Sequence, residues 1–229
     1  MDVHLLEARP TQAERDAVDH LLGPPASGWD GGERQVALEG HVARGGHEAR
    51  GRRDLLLPAL HAVSEHIGWI SPGALNYVCE RLTVPPADAY GVATFYALFS
   101  LEWRPERVLH VCEDLACRCR GSHELIAELE AGFGPEGSAS DQLDATWFRS
   151  PCLGQCDRAP AALLARAGGT PAEHVLAPVS AASAMAAMGG TVAGADPPAT
   201  VPQAGDPPLR LLRRVGRGHP PSLDHYRAH

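Results

Sequence analysis

A chain of 229 residues that is 44% hydrophobic can build a substantial core, but 5% aromatics alongside 24 glycines and 20 prolines leave stretches that do not belong to one. A net charge of −8 argues against nucleic acid as a partner, no apolar run approaches the roughly 18–20 residues of a membrane span, and the opening "MDVHLLEARPTQ" lacks the basic-then-apolar plan of a secretory signal. The expectation is a soluble, cytoplasmic chain without direct membrane insertion, whose thiols stay reduced unless a metal holds them.

All twenty basic residues are arginine, which reads as a coding bias. In chain order, "TQAERDAVDHLLG" (11–23) is a helix, with Thr11 as N-cap and Glu14 completing a capping box. Residues 24–50 are broken by Gly and Pro, and at most one short helix is expected near 33–43. From 51 the helical period sharpens: Leu56, Leu60, Val63 and Ile67 share a face, with Asp54 or a neighbour as the cap. "SPGALNYVCERL" starts with Ser71 as N-cap and Pro72 at the first helical position, and Leu75, Val78, Cys79 and Leu82 form its stripe. "VPPADAYGVATFYALFS" (84–100) reads as another helix, so residues 51–103 form a small helical bundle behind a poorly ordered or partly helical extension, 1–50.

After 103 the period changes. "RVLHVC" (107–112) is a strand running into a cysteine. "GSHELIAELEAGFG" (121–134) is a helix that Ser122 can cap, and "ATWFRSP" (145–151) is a second strand. Residues 159–169 and 172–179 read as a strand pair joined at Gly168–Gly169, and 180–190 as a last helix capped by Ser180. The order β-α-β-β-β-α over 104–190 describes a small α/β layer, giving an α+β chain overall. Residues 191–208 are a Pro/Ala/Gly linker, and the tail that follows is basic.

Six cysteines sort by context. Cys79 lies on a helical apolar stripe and packs as a small hydrophobe. Cys112 and Cys117 form C-x4-C at a strand end; Cys152 and Cys156 form C-x3-C after another strand; Cys119 is left over. Gly154 and Gly121 suit a backbone that approaches a ligand closely, and loop N–H groups can offset charge on sulfur. Two thiolates from each loop make a four-cysteine set, usual for a [2Fe–2S] cluster and also for structural zinc. Zinc pairs are more often C-x2-C; a thiol–disulfide enzyme wants C-x-x-C; the plant-type ferredoxin pattern fails by one residue; and His110 and His123 are not placed for Rieske ligation. Iron–sulfur, zinc and no metal all remain open on spacing.

Together "LLLPALHAVSEHIGWISPGAL", "VPPADAYGVATFYALF", C-x4-C and "CLGQCDRAPA" resemble the thioredoxin-like [2Fe–2S] ferredoxin family over about 51–180. This family provides the 24-kDa-type (E) subunit of NADH:quinone oxidoreductase and the small subunit of NAD-dependent formate dehydrogenases and bidirectional hydrogenases. The resemblance implies a helical bundle followed by a thioredoxin-like domain. It implies a [2Fe–2S] cluster on Cys112, Cys117, Cys152 and Cys156, with Cys119 outside the family pattern. It implies an electron-transfer subunit without a catalytic residue of its own, reaching the inner face of the membrane only through its complex. FMN and NADH are expected on a partner subunit, since no G-x-G-x-x-G loop follows a strand here. The tail "LRLLRRVGRGHPPSLDHYRAH" resembles the opening of that FMN- and NADH-binding partner, as a natural fusion would; the plainer reading is a basic tail on a docking surface. Host complexes of the formate dehydrogenase or hydrogenase type, and a zinc-stabilised interaction module, stand as alternatives.

Overall fold

The computed structural model describes residues 7–25, 52–140, 143–192 and 223–228. The chain divides into two compact units, Met1–Ala193 and Gly194–His229. Of the second, the described part is one short helix, Leu223–Ala228. The expected helix near 33–43 and the 191–208 linker lie outside the described residues, except Thr191 and Val192.

In the first unit, helix α1 spans Gln12–Leu22, and its capping box is as read from the sequence. Glu14 is 3% exposed and does more than close that box. Its carboxylate accepts the Thr11 N–H at 2.6 Å and the Ser71 hydroxyl at 2.5 Å, while Ser71 Oγ accepts the Ala74 N–H at 3.0 Å. One carboxylate therefore ties the start of α1 to the start of helix α3 (Pro72–Leu82), leaving few helix-end donors unmatched. Helix α2 (Leu56–Ile67) is entered through a single 3-10 turn, Arg53–Leu55, with no side-chain cap, so the role expected of Asp54 is not taken up. Helix α4 (Pro86–Phe95) is shorter than the 84–100 expectation. The chain leaves the helix at Tyr96, and the Ser100 carbonyl accepts the Ile70 N–H at 2.8 Å beyond the end of α2.

These four helices share one apolar core, in which Val18, Leu60, Val63, Ile70, Val78, Cys79 and Leu82 are fully buried. Cys79 packs there as read, and burial pushes its thiol up to about 12. Arg81 is buried beside Asp19 as an ion pair and donates to the Gly23 carbonyl at 2.6 Å, fixing the far end of α1 on α3. Gly73 marks the closest approach of the N-terminal arm, since a Cβ there would stand 2.2 Å from the Arg9 carbonyl oxygen. Gly73→Ala is expected to push that arm away and break the 2.7 Å bond from Asn76 Nδ2 to the Ala8 carbonyl. The gain in helix propensity of about 1 kcal/mol is outweighed by an overpacking cost of roughly 1–3 kcal/mol. Denaturation midpoints, with limited proteolysis at residues 7–10, check it.

The remaining elements form a four-stranded sheet of order β2-β1-β3-β4. Strands β1 (Arg107–Cys112) and β2 (Ala145–Ser150) are parallel; β3 (Ala162–Arg166) and β4 (Ala172–Leu176) follow antiparallel, both shorter than expected. Between β1 and β2 run a four-residue helix α5 (Leu115–Arg118), which the sequence pattern does not predict, and helix α6 (Ser122–Phe133). Helix α7 (Ala181–Met188) follows β4 with the expected Ser180 cap. Alternation along the strands places Leu109, Val111, Trp147, Ala162 and Leu164 in one core with Leu125, Ile126, Leu129 and Met188 of α6 and α7. On the opposite face His110 stacks on Phe148, and the Arg104 guanidinium lies 4.1 Å from the Phe148 ring centre. Burial, then the nearby Arg104 charge, lowers the His110 pKa to about 4, so the ring is neutral at neutral pH. The architecture is mixed α+β, consistent with a thioredoxin-like domain.

Candidate metal centre

Two cysteine loops converge because β1 and β2 are parallel neighbours. Cys112 stands opposite Ser150 in the register, so both strands release their chains at the same end of the sheet. The Glu113 N–H donates to the Ser150 carbonyl at 3.0 Å, carrying the pairing one residue past β1. The Cys112 N–H donates to the Ala161 carbonyl at 3.0 Å, which brings in the segment just before β3.

The first loop is shaped by Asp114. Its carboxylate accepts the Leu115 N–H at 2.7 Å and caps α5, a signal visible in the sequence as an acidic residue before a short apolar step. Helix α5 turns Cys117 back toward Cys112. Both are 2% exposed and share a small apolar cluster with Ala161 and Ala177, flanked by Leu153 and Ala159. Burial, then a hydrogen bond with Cys112, raises the Cys117 thiol to about 11. The second loop leaves β2 at Ser150 and reaches Cys156 at a 3-10 turn, Cys156–Arg158. Cys152 and Cys156 are exposed, with their sulfurs 3.4 Å apart. That contact is the largest cause of a raised Cys156 pKa. Thiols held protonated in this way release protons when they bind a metal.

Both loop glycines take conformations that favour glycine. Gly154 adopts φ +76°, and its N–H points at Cys152 Sγ at 3.4 Å; a Cβ there would meet nothing within 4 Å, so the need is conformational rather than steric. Gly121 adopts φ +91° and itself occupies the N-cap position of α6. Ser122, expected as that cap, is instead the first helical residue; it is 0% exposed, and its hydroxyl has no hydrogen-bond partner among the described residues.

The four expected ligands are thus two pairs, one buried and one exposed, at one end of a parallel strand pair. Cys119 is exposed and Cys79 lies in the other core. Glu113 lies 3.8 Å from Arg149, which also pairs with Glu130 at 2.8 Å and Glu136 at 3.6 Å on the surface. Among the described residues no group of three or more His, Cys, Asp or Glu side chains is gathered tightly enough for one ion. A cavity of about 370 Å³ lies elsewhere, lined by His61, Phe99, Arg104 and His110 among others and by no cysteine. No helix among the described residues is long and apolar enough to cross a membrane.

Several known proteins are similar to this chain in sequence. The E subunit of the NADH-quinone oxidoreductase of Pseudomonas aeruginosa is 30% identical over 120 residues, covering 52% of this chain and 72% of that protein. NADH-quinone oxidoreductase subunit 2 of Thermus thermophilus is 31% identical over 130 residues, covering 56% of this chain and 70% of that one. The corresponding E subunit of Rickettsia conorii is 35% identical over 113 residues, covering 48% and 67%. A solved NAD+-reducing [NiFe]-hydrogenase in the air-oxidized state aligns with a TM-score of 0.45 and 24% identity over 58% of this chain, which spans 22% of that hydrogenase chain. The model of the thioredoxin-like [2Fe-2S] ferredoxin family matches residues 43–175, a span containing both cysteine pairs and more than half of the sequence, and the chain belongs to that family.

Proposed function

We propose that the chain is an electron-transfer subunit of an NADH:quinone oxidoreductase-type complex, with Cys112, Cys117, Cys152 and Cys156 holding a [2Fe–2S] cluster. The observation that carries this reading is the meeting of the two thiol pairs at the shared end of β1 and β2, inside the segment matched by the family. The donor set fits the group. A two-iron cluster takes two thiolates on each iron, so it asks for two pairs and not for four sulfurs around a point. The Gly154 N–H on Cys152 Sγ is the kind of backbone donor that offsets thiolate charge. When bound, such a group supplies storage and transfer of one electron.

The chain's own residues then do three things. Cys112 and Cys117 hold their side of the site in a dry, apolar pocket. Cys152 and Cys156 close it from the solvent side, where a partner subunit carrying FMN and NADH has access. Helices α2–α4, on whose core α1 packs, act as a helical bundle that docks that partner, with Tyr90, Phe95 and, beyond the end of α4, Trp103 exposed at 55%, 80% and 64% as candidate contacts. In domain terms, 51–103 is the bundle, 104–190 the thioredoxin-like domain and 191–229 a linker with a tail related to the partner. A host of the formate dehydrogenase or hydrogenase type uses the same site chemistry, and the names of the relatives quoted above favour the quinone-linked complex.

The full chain, purified and reconstituted without oxygen, is expected to be brown, to bleach with dithionite, and to contain two irons and two acid-labile sulfides per chain. A colourless protein with one zinc per chain would establish the structural zinc module instead.

A further inference from the structure

Ser122 is an anomaly among the described residues. Three other buried side-chain atoms lack partners among the described residues, the Nε atoms of Arg53, Arg81 and Arg107. Each belongs to a guanidinium whose terminal nitrogens do bond, to the carbonyls of Thr83, Gly23 and Leu143. Ser122 has no second polar atom. A hydroxyl taken out of water and left unmatched is unfavourable, and native proteins keep few of them without a use.

Its position suggests the use. Ser122 lies three and four residues before Leu125 and Ile126 and seven before Leu129, on the face of α6 that packs against the sheet. It is the end of that face nearest the Cys117 turn. The Arg120 N–H donates to the Cys117 carbonyl at 3.0 Å and the Gly121 N–H to the Arg118 carbonyl at 3.5 Å, so the chain passes from ligand to Ser122 in one tight turn. Gly121, in the left-handed conformation, provides the N-cap and leaves the serine hydroxyl uncommitted.

We propose that the Ser122 hydroxyl is a hydrogen-bond donor reserved for anionic sulfur that arrives with the cluster, a sulfide on the Cys117 side of the site. This rests on the [2Fe–2S] reading of the site. In the metal-free chain the hydroxyl has no such acceptor. With the cluster bound it gains one, and the bond strengthens as negative charge on sulfur grows. It therefore favours the reduced form and raises the reduction potential.

The test uses the full chain, reconstituted anaerobically, as wild type, Ser122→Ala and Ser122→Thr. Redox titration followed by electron paramagnetic resonance gives the midpoint potential, and melting is measured on cluster-free and cluster-loaded protein. Ser122→Ala is expected to load iron and sulfide normally and to titrate at a more negative potential. Its cluster-free form should melt higher than wild type, because the unmatched hydroxyl is gone. Ser122→Thr, which keeps the hydroxyl, should return the potential toward wild type. Should Ser122→Ala not fold, Ser122→Gly removes the same hydroxyl and is read in the same way. An unchanged potential in the hydroxyl-free variant, with both forms more stable, would overturn the proposal and make Ser122 a plain packing residue. A wild-type chain that takes up no iron or sulfide would overturn the cluster reading itself, and this inference with it.

Discussion

With the ligands as proposed, Cys152→Ser is expected to leave the protein unable to hold a [2Fe–2S] cluster while keeping the polypeptide as stable as before. The residue is exposed, so a hydroxyl there is solvated and nothing in either core changes. Removing an outer-shell partner of a metal ligand already costs roughly 10–100-fold in metal affinity. Losing one of four thiolates should cost more, and iron, sulfide and visible absorbance should fall together. Cys156→Ser should behave in the same way. Cys117→Ser should also lose the cluster but by a different balance, because that thiol is 2% exposed among apolar neighbours. A smaller and more polar hydroxyl among those apolar neighbours, weakening the contact the Cys117 sulfur makes with Cys112, adds an instability of about 1–3 kcal/mol to the cluster-free chain. Two controls sharpen the reading. Cys119→Ser, on an exposed residue outside the pairs, should keep full iron content. Cys79→Ser should keep the cluster and lose stability, since it places a hydroxyl in the helical core. Normal iron content and absorbance in both Cys152→Ser and Cys156→Ser would refute the ligand assignment.

The contrast between those variants could not have been drawn from the sequence. C-x4-C and C-x3-C identify four thiols, but spacing does not say that one pair is buried and the other exposed. That difference arises from Asp114 capping α5, which folds Cys117 inward, whereas the Pro151–Gln155 loop stays at the surface. Nor does spacing say why the loops meet. The parallel register of Cys112 with Ser150 does, and it depends on α6 crossing over between two strands that are individually easy to recognise. Helix starts were legible where the signal was local and redundant, as at Thr11 with Glu14 and at Ser71 with Pro72. They failed where the backbone solved the entry by itself, through the 3-10 turn before α2 and the left-handed Gly121 before α6. In both cases a plausible side-chain cap, Asp54 or Ser122, stood beside the true start and was not used. The over-long α4 has another cause. The apolar run continues through Phe99, but Phe99 is buried by the chain turning back rather than by a further helical turn.

Trp147→Ala is the substitution expected to do most damage to the fold, and its effect should reach the site through one strand. Trp147 is fully buried on the inner face of β2, opposite Leu109 in register, and its Nε1–H donates to the Gly134 carbonyl at the end of α6 at 3.0 Å. Truncation leaves a cavity in a core that does not collapse fully, a loss of about 3–5 kcal/mol, against a total stability of roughly 5–15 kcal/mol for a domain. The Gly134 carbonyl also loses its donor. Strand β2 ends the sheet order, with β1 on one side and on the other only a short irregular segment, whose Gly137 and Ser140 N–H groups donate to the Trp147 and Ala145 carbonyls at 3.0 Å, so its order depends on the inner-face side chains more than that of β1 or β3 does. Hydrogen exchange in Trp147→Ala should therefore accelerate first at the amides of β2, with β1 and β3 better protected. Because Cys152 and Cys156 hang from the end of β2 while Cys112 and Cys117 hang from β1, the damage should be one-sided. Alkylation of the loaded protein should reach Cys152 and Cys156 sooner than in wild type, and Cys117 only with global unfolding. Trp147→Phe, which keeps most of the volume but not the donor, should recover the greater part of the stability. Equal acceleration at all four cysteines would mean that the two loops are not held by separate strands but open as one unit.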